Sequence, residues 1–212
     1  HKPYLTEYPR HILDRKLKEL TELITETFDT IPSSHRAGRW SIDPSVVQLL
    51  CQYNYTVDCS VTPGVSWKHA LGAPNGEGGT DYTRCPRMPY WMGADSLEVP
   101  GNTRLLQVPV SIVTTAISPV TAVRQIAAKT LSLVSPRYRH RRVAVKENHW
   151  LRPGRNNLAS MKAILNRATQ EHWPCVEFML HSSELMPGGN PNFKDAGAID
   201  QLYDNMESLF AH

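Results

Sequence analysis

Apolar residues recur along this chain at two spacings that alternate from one segment to the next. Between Arg10 and Phe28, Leu13, Leu17, Leu20, Ile24 and Phe28 fall three or four apart, which predicts an amphipathic helix. Asp14 and Lys18 are placed as an i,i+4 pair on it, and Pro32 stops any continuation. The short run Ser33-Ser34-His35 reads as extended. Asp43-Pro44 then opens a second helix, with Asp43 as N-cap and Pro44 at the first position, where its missing N–H is not needed. That helix carries Val47, Leu50 and Cys51 on one face and ends near Tyr53-Asn54. Tyr55 to Val61 alternates as a strand. Leu105 to Thr114 is the most strand-like run, with Pro109 marking a bulge or an end. A helix is predicted over 118–134 on Val123, Ile126, Ala127, Leu131 and Val134, and a strand from Arg142 to Asn148. Asn157 caps a helix from Leu158 to about His172 with Met161, Ile164, Leu165 and Ala168 inward. Cys175 to Leu180 reads as a strand, and Ala198 to Phe210 as a closing helix on Ile199, Leu202, Tyr203, Met206 and Leu209.

Strand and helix alternating through five strands predict an α/β fold with a parallel sheet and right-handed crossovers. Five strands are too few to close a packed barrel. The expectation is therefore a single domain over residues 1–212 that is a parallel (β/α) barrel lacking its opening strands, with an open sheet as the alternative. The region 63–103 is rich in glycine and proline and reads as a long loop insertion. Its aromatics, Trp67, Tyr82, Tyr90 and Trp91, either stack on a flat or sugar-like ligand or pin the loop to the domain.

Composition narrows the classes. The 212 residues are 41% hydrophobic and 20% charged, ordinary for a folded domain. A net charge of +3, with a basic run confined to Arg137–Arg142 and no accompanying motif, argues against nucleic acid as a partner. No Gly-rich phosphate loop joins a strand to a helix. Four cysteines without a C-x-x-C pair, Cys51 and Cys175 lying in apolar runs, fit buried thiols in a reducing compartment. No apolar run approaches the ~18 residues that span a bilayer. The expected location is the cytoplasm, although the chain begins at His1 rather than Met.

Polar residues cluster where the predicted strands end: Arg36 and Arg39; Asp58 and Ser60; Ser111 or Thr114; Glu147, His149 and Arg152; and His181 to Glu184. In a parallel sheet these ends face one mouth, where chemistry is placed. A histidine there can move protons near neutral pH, an aspartate can fix its tautomer, and an arginine fork can orient a carboxylate.

"SSHRAGRWSID", then "YTVDCSVTPGVSW" and, far downstream, "FMLHSSEL" together resemble the metal-dependent polysaccharide deacetylases, closest to the subgroup tied to O-antigen and other surface-polysaccharide biosynthesis. The resemblance spans about Tyr8 to Phe210. It implies a distorted seven-strand (β/α) barrel and hydrolytic removal of acetyl groups from a carbohydrate. It also implies a divalent metal, zinc foremost. By this resemblance Arg36 orients a catalytic-base aspartate, Asp58 steadies the general-acid histidine, His181 is that general acid, and Trp67 is an aromatic wall. Arg39, Glu184 and Trp91 are further candidate substrate-binding residues beside Trp67. The family's Asp-Asp and His-x-x-x-His blocks are not in this sequence, and Arg-Ala-Gly-Arg-Trp replaces its usual Arg-x-Pro form. No metal ligands are therefore assigned in this chain; they are expected upstream. Two other readings stand beside the enzyme: a deacetylase-like domain that only holds a glycan, and a metal-free hydrolase or phosphate-handling barrel using His181, Glu184 and Arg36. A homo-oligomer is left open.

Overall fold

The computed structural model describes residues 2–116 and 146–212. The helix expected over 118–134 and the basic run at 137–142 lie outside the described residues.

Helix α1 spans Arg10–Phe28 and α2 spans Pro44–Gln52, where the periodicity and the Asp43-Pro44 pair place them. Asp43 Oδ1 accepts from the Val46 backbone N–H at 2.9 Å, which satisfies one of the four free donors of α2. Only the first half of α1 is seated: Leu13 and Leu17 are buried, whereas Leu20 and Phe28 are 50% and 71% exposed. Asp14 does not pair with Lys18. It accepts from the Tyr53 hydroxyl at 2.8 Å across the α1–α2 contact, and Lys18 lies 3.7 Å from Glu22 instead. Packing drew the carboxylate inward, a choice that spacing along one helix cannot register.

Six short strands follow: β1 (Ser34–His35), β2 (Val57–Asp58), β3 (Tyr90–Trp91), β4 (Leu106–Gln107), β5 (Ile112–Ala116) and β6 (Lys146–Trp150). The first four make one sheet in the order β1-β2-β4-β3, and β5 pairs with β6 in a second. The β1-β2-β4 core is parallel, as the alternation predicts. Two neighbours depart from the all-parallel expectation. Strand β3 enters antiparallel from the long insertion, and β6 lies antiparallel to β5. The long run at 105–114 is divided between the two sheets at Val108-Pro109, since proline cannot donate to a ladder. Cys175–Leu180 is extended without being a regular strand. The Glu177 N–H bonds Ser111 Oγ at 2.9 Å and the Met179 N–H bonds the Leu151 carbonyl at 3.0 Å, so this segment runs beside the junction of the two sheets.

Helices α3 (Leu158–Gln170) and α4 (Ala196–Phe210) close the second half, Met161 and Ile164 packing with Leu209 and Val113. Asp195 caps α4 through the Ala198 N–H at 2.9 Å. Asn157 precedes α3 but does not cap it; its side chain bonds the Gly154 N–H and the Arg152 carbonyl in the preceding turn. Tyr203 and Cys175, expected inside, are exposed: α4 buries only the stripe through Ile199, Leu202 and Leu209, and Cys175 sits at the outer start of its segment. In the insertion Tyr82 and Tyr90 are buried and anchor the loop, the Tyr82 hydroxyl donating to the Trp40 carbonyl and that of Tyr90 to the Leu97 carbonyl. Among the described residues, no helix is long and apolar enough to cross a membrane.

Candidate functional site

The chain leaving β1 makes a tight 3-10 turn, Gly38–Trp40, with Arg39 at φ 56° and Trp40 at φ 58°. Two consecutive side-chain-bearing residues in the left-handed region cost about 1–2 kcal/mol each. The turn is held by what surrounds it. Trp40 is buried, its carbonyl accepts from Tyr82, and the Arg36 guanidinium lies 5.4 Å from its ring centre. The strain fixes where the indole points. Trp40 lies 6.1 Å from Trp150 between ring centres, and Trp150 lies 6.3 Å from Trp67, whose indole N–H donates to Thr62 Oγ1 at 2.9 Å.

These three tryptophans line a cavity of about 510 Å³. Its polar lining comes from Glu147, Asn148, His149 and Arg152 on and just after β6, from Asn156 and Asn157, and from Asn192. Flat apolar faces surrounded by amides and a few charges are what a sugar needs: its C–H faces stack and its hydroxyls find donors and acceptors.

At the rim, Arg152 joins two residues of the His181 segment. Arg152 Nη2 is 2.6 Å from Glu184 Oε1 and 3.2 Å from His181 Nδ1. Glu184 is fully buried at the 3-10 turn Ser182–Leu185. Its Oε2 accepts the His181 backbone N–H at 2.8 Å, and its Oε1 also accepts from Asn190 Nδ2 at 3.2 Å. Both carboxylate oxygens of Glu184, expected to be a substrate-binding residue, are engaged within the protein. The His181 ring is 46% exposed.

Asp58 belongs to a different network. It sits opposite His35 in the parallel register, and Asp58 Oδ1 is 2.7 Å from His35 Nδ1. The Ser60 hydroxyl and N–H donate to the same carboxylate at 2.8 and 2.9 Å, and Ser60 Oγ in turn accepts the Ala37 N–H. The hydrogen bond expected between Asp58 and His181 is therefore not made: Asp58 holds His35, and His181 is held by Arg152 and Glu184. Beside Asp58, burial pushes the Glu177 carboxyl up to about 8, with Arg36 opposing and Asp58 adding to the rise. Glu177 Oε2 and both side-chain polar atoms of the fully buried Gln107 have no hydrogen-bond partner among the described residues. Burial, reinforced by the charges of Glu177 and Asp58, raises the Cys59 thiol to about 12, so it stays protonated and is not a nucleophile near neutral pH.

The expected residues thus fall into three places. Trp67 lines the cavity, Arg36 backs its Trp40 wall, and His181 meets it through Arg152. Asp58 and Glu184 are buried supports. Arg39 is exposed on the strained turn, and Trp91, 51% exposed on β3, is not among the cavity-lining residues. Sequence reasoning missed His35, Trp40 and Trp150 as participants. The signal for His35 was present, since the runs ending His35-Arg36 and Asp58-Cys59 pair in register. That for the tryptophans was not, because their meeting depends on the left-handed turn at Arg39-Trp40.

Among the described residues, no three His, Cys, Asp or Glu side chains come together in a way that could hold a metal ion. Asp58 is fully buried and taken up by His35 and Ser60. The described residues thus contain no ligand set for the divalent metal that the deacetylase resemblance implies. No protein-family model matches this chain, and comparison with curated proteins and with solved structures likewise finds no match.

Proposed function

We propose that this chain is a carbohydrate-acting domain of the polysaccharide deacetylase type, with the sugar held in the tryptophan-lined cavity and His181 meeting the reacting acetyl group at its rim. The observation that carries this reading is one shared location. Trp40, Trp67 and Trp150 offer stacking faces, and Arg152 on the same wall bonds His181 directly. The parallel β1-β2-β4 core, delivering Arg36 and Asp58 from the same ends of adjacent strands, supports the barrel-type architecture that goes with it. The volume is within the range of roughly 300–1,000 Å³ usual for small-ligand sites, room for a sugar unit or two. Arg36 acts here through Trp40, as a cation on an indole face, worth about 0.5–2 kcal/mol to the shape of the wall.

A second reading is favoured by the Asp58 network. With its carboxylate bound by His35 and Ser60, Asp58 is a structural group, and a domain that holds a glycan without cleaving it would need the tryptophans and little else.

Acetate release from an N-acetylated oligosaccharide, with zinc or cobalt added, separates the two. Under the first reading the protein releases acetate, His181→Ala abolishes release, and Trp150→Ala weakens sugar binding about tenfold, the ~1.4 kcal/mol expected of one stacking face. Sugar binding that is lost in Trp150→Ala, with no acetate released under any divalent metal, leaves the glycan-holding reading. Binding of neither acetylated nor deacetylated oligosaccharide overturns both.

A further inference from the structure

Four consecutive residues of β6, Glu147, Asn148, His149 and Trp150, line the tryptophan-walled cavity, although alternate residues of a strand point to opposite faces. Residues of both faces share one cavity only where it runs along the edge of the strand. No residue of β5 lines it, so that edge is the one turned away from β5. Register decides which backbone groups stand there. The Leu151 N–H bonds the Ser111 carbonyl at 2.9 Å, so these two face each other across the ladder. Antiparallel alternation then turns the N–H and C=O of His149 and Glu147 toward β5, and those of Asn148 and Trp150 outward. The same parity holds on β5, where the Ile112 carbonyl, opposite Trp150, points outward and is taken by Arg87 Nη1 at 2.9 Å. On β6 no such cap is present: among the described residues, the N–H and C=O of Asn148 and Trp150 have no backbone partner.

We propose that the open edge of β6 binds an extended peptide, which adds antiparallel as a third strand and carries a basic residue between two aromatic or apolar ones. This is a second class of ligand for the cavity and does not depend on the glycan reading. The two outward donor–acceptor pairs stand about 6.7 Å apart along the strand. The N–H and C=O groups of an extended peptide meet them one for one, as hydroxyls on sugar rings do not. The pleat assigns the side chains. Peptide residues opposite Asn148 and Trp150 lie on the face where Trp150 meets Trp40 and Trp67, which favours aromatic or apolar groups. The residue between them lies on the other face, with Glu147, His149 and Ser160. Arg152 is bonded to Glu184, which leaves Glu147 as the cavity's uncompensated charge among the described residues, and a lysine or arginine answers it.

The probe is an acetylated, amidated Gly-Phe-Lys-Phe-Gly peptide, titrated into the full chain and followed by tryptophan fluorescence and by backbone amide exchange. Saturable binding below about 1 mM is expected, with the Asn148 and Trp150 N–H groups exchanging freely without peptide and protected with it. The His149 N–H, bonded within the ladder, is slow in both states. Methylating the backbone nitrogens of both phenylalanines removes the donors that meet the edge, and replacing the lysine by glutamate sets two carboxylates together. Each change is expected to weaken binding at least about tenfold. No saturation by about 1 mM, a methylated peptide that binds as tightly as its parent, or Asn148 and Trp150 amides already protected in the free protein overturns the proposal. An N-acetylated oligosaccharide that binds where the peptide does not leaves the glycan reading standing and this one overturned; the converse result reverses the two.

Discussion

The buried carboxyl of Glu177 ties the stability of this protein to pH in an unusual direction. Its side chain has one oxygen without a partner among the described residues, and burial raises it from 4.5 to about 8, with Arg36 opposing and Asp58 adding. In the unfolded chain the group ionises near 4.5 while the folded protein keeps it protonated. The folded state then binds more protons over that interval, and stability falls as pH rises from about 4.5 to about 8 and is flat beyond. At about 1.4 kcal/mol per pH unit the ceiling is about 5 kcal/mol. Water reaching a side chain that is not wholly enclosed brings the expected effect to about 2–3 kcal/mol. Glu177→Gln keeps the shape and removes the titration. Urea unfolding of wild type and variant should give nearly equal stabilities at about pH 5 and a variant more stable by about 2–3 kcal/mol at about pH 9. A difference that stays constant with pH, or a wild type that gains on the variant as pH rises, would refute the reasoning, for it would place Glu177 in water or beside a compensating charge.

Two further outcomes bear on the supports of the site. Asp43→Ala should cost about 1 kcal/mol by denaturant unfolding, because it leaves the Val46 N–H of α2 without its cap; an unchanged midpoint would mean that water replaces the carboxylate. Asp58→Ala should cost about 3 kcal/mol, since it strands His35 and the Ser60 N–H in the interior, whereas His181→Ala at its exposed site should cost less than about 0.5 kcal/mol. Equal costs for the two would contradict the division between support and surface.

How much of this was legible beforehand follows from the range of each interaction. Helix α1 and the cap of α2 were readable because their causes lie within four residues of one another: apolar spacing in one, Asp43 and Pro44 in the other. The parallel neighbours β1, β2 and β4 were readable because a helix or a long insertion between strands dictates the crossover. The alternation could not say that β6 would turn back antiparallel on β5, that Tyr203 and Cys175 would face out, or that Asp14 would leave Lys18 for Tyr53. Those outcomes compare surfaces brought together only by folding.

The sequence by itself determined which residues are candidates for chemistry here, and that Arg36 and Asp58 would stand where β1 and β2 end. Which of them touch was decided by the tertiary structure alone. Register set Asp58 against His35, two left-handed residues swung Trp40 toward Trp150, and the turn at Ser182–Leu185 buried Glu184 beneath Arg152 and His181. Partners 23 to 110 positions apart meet through burial and backbone strain, and neither has a signature in local spacing.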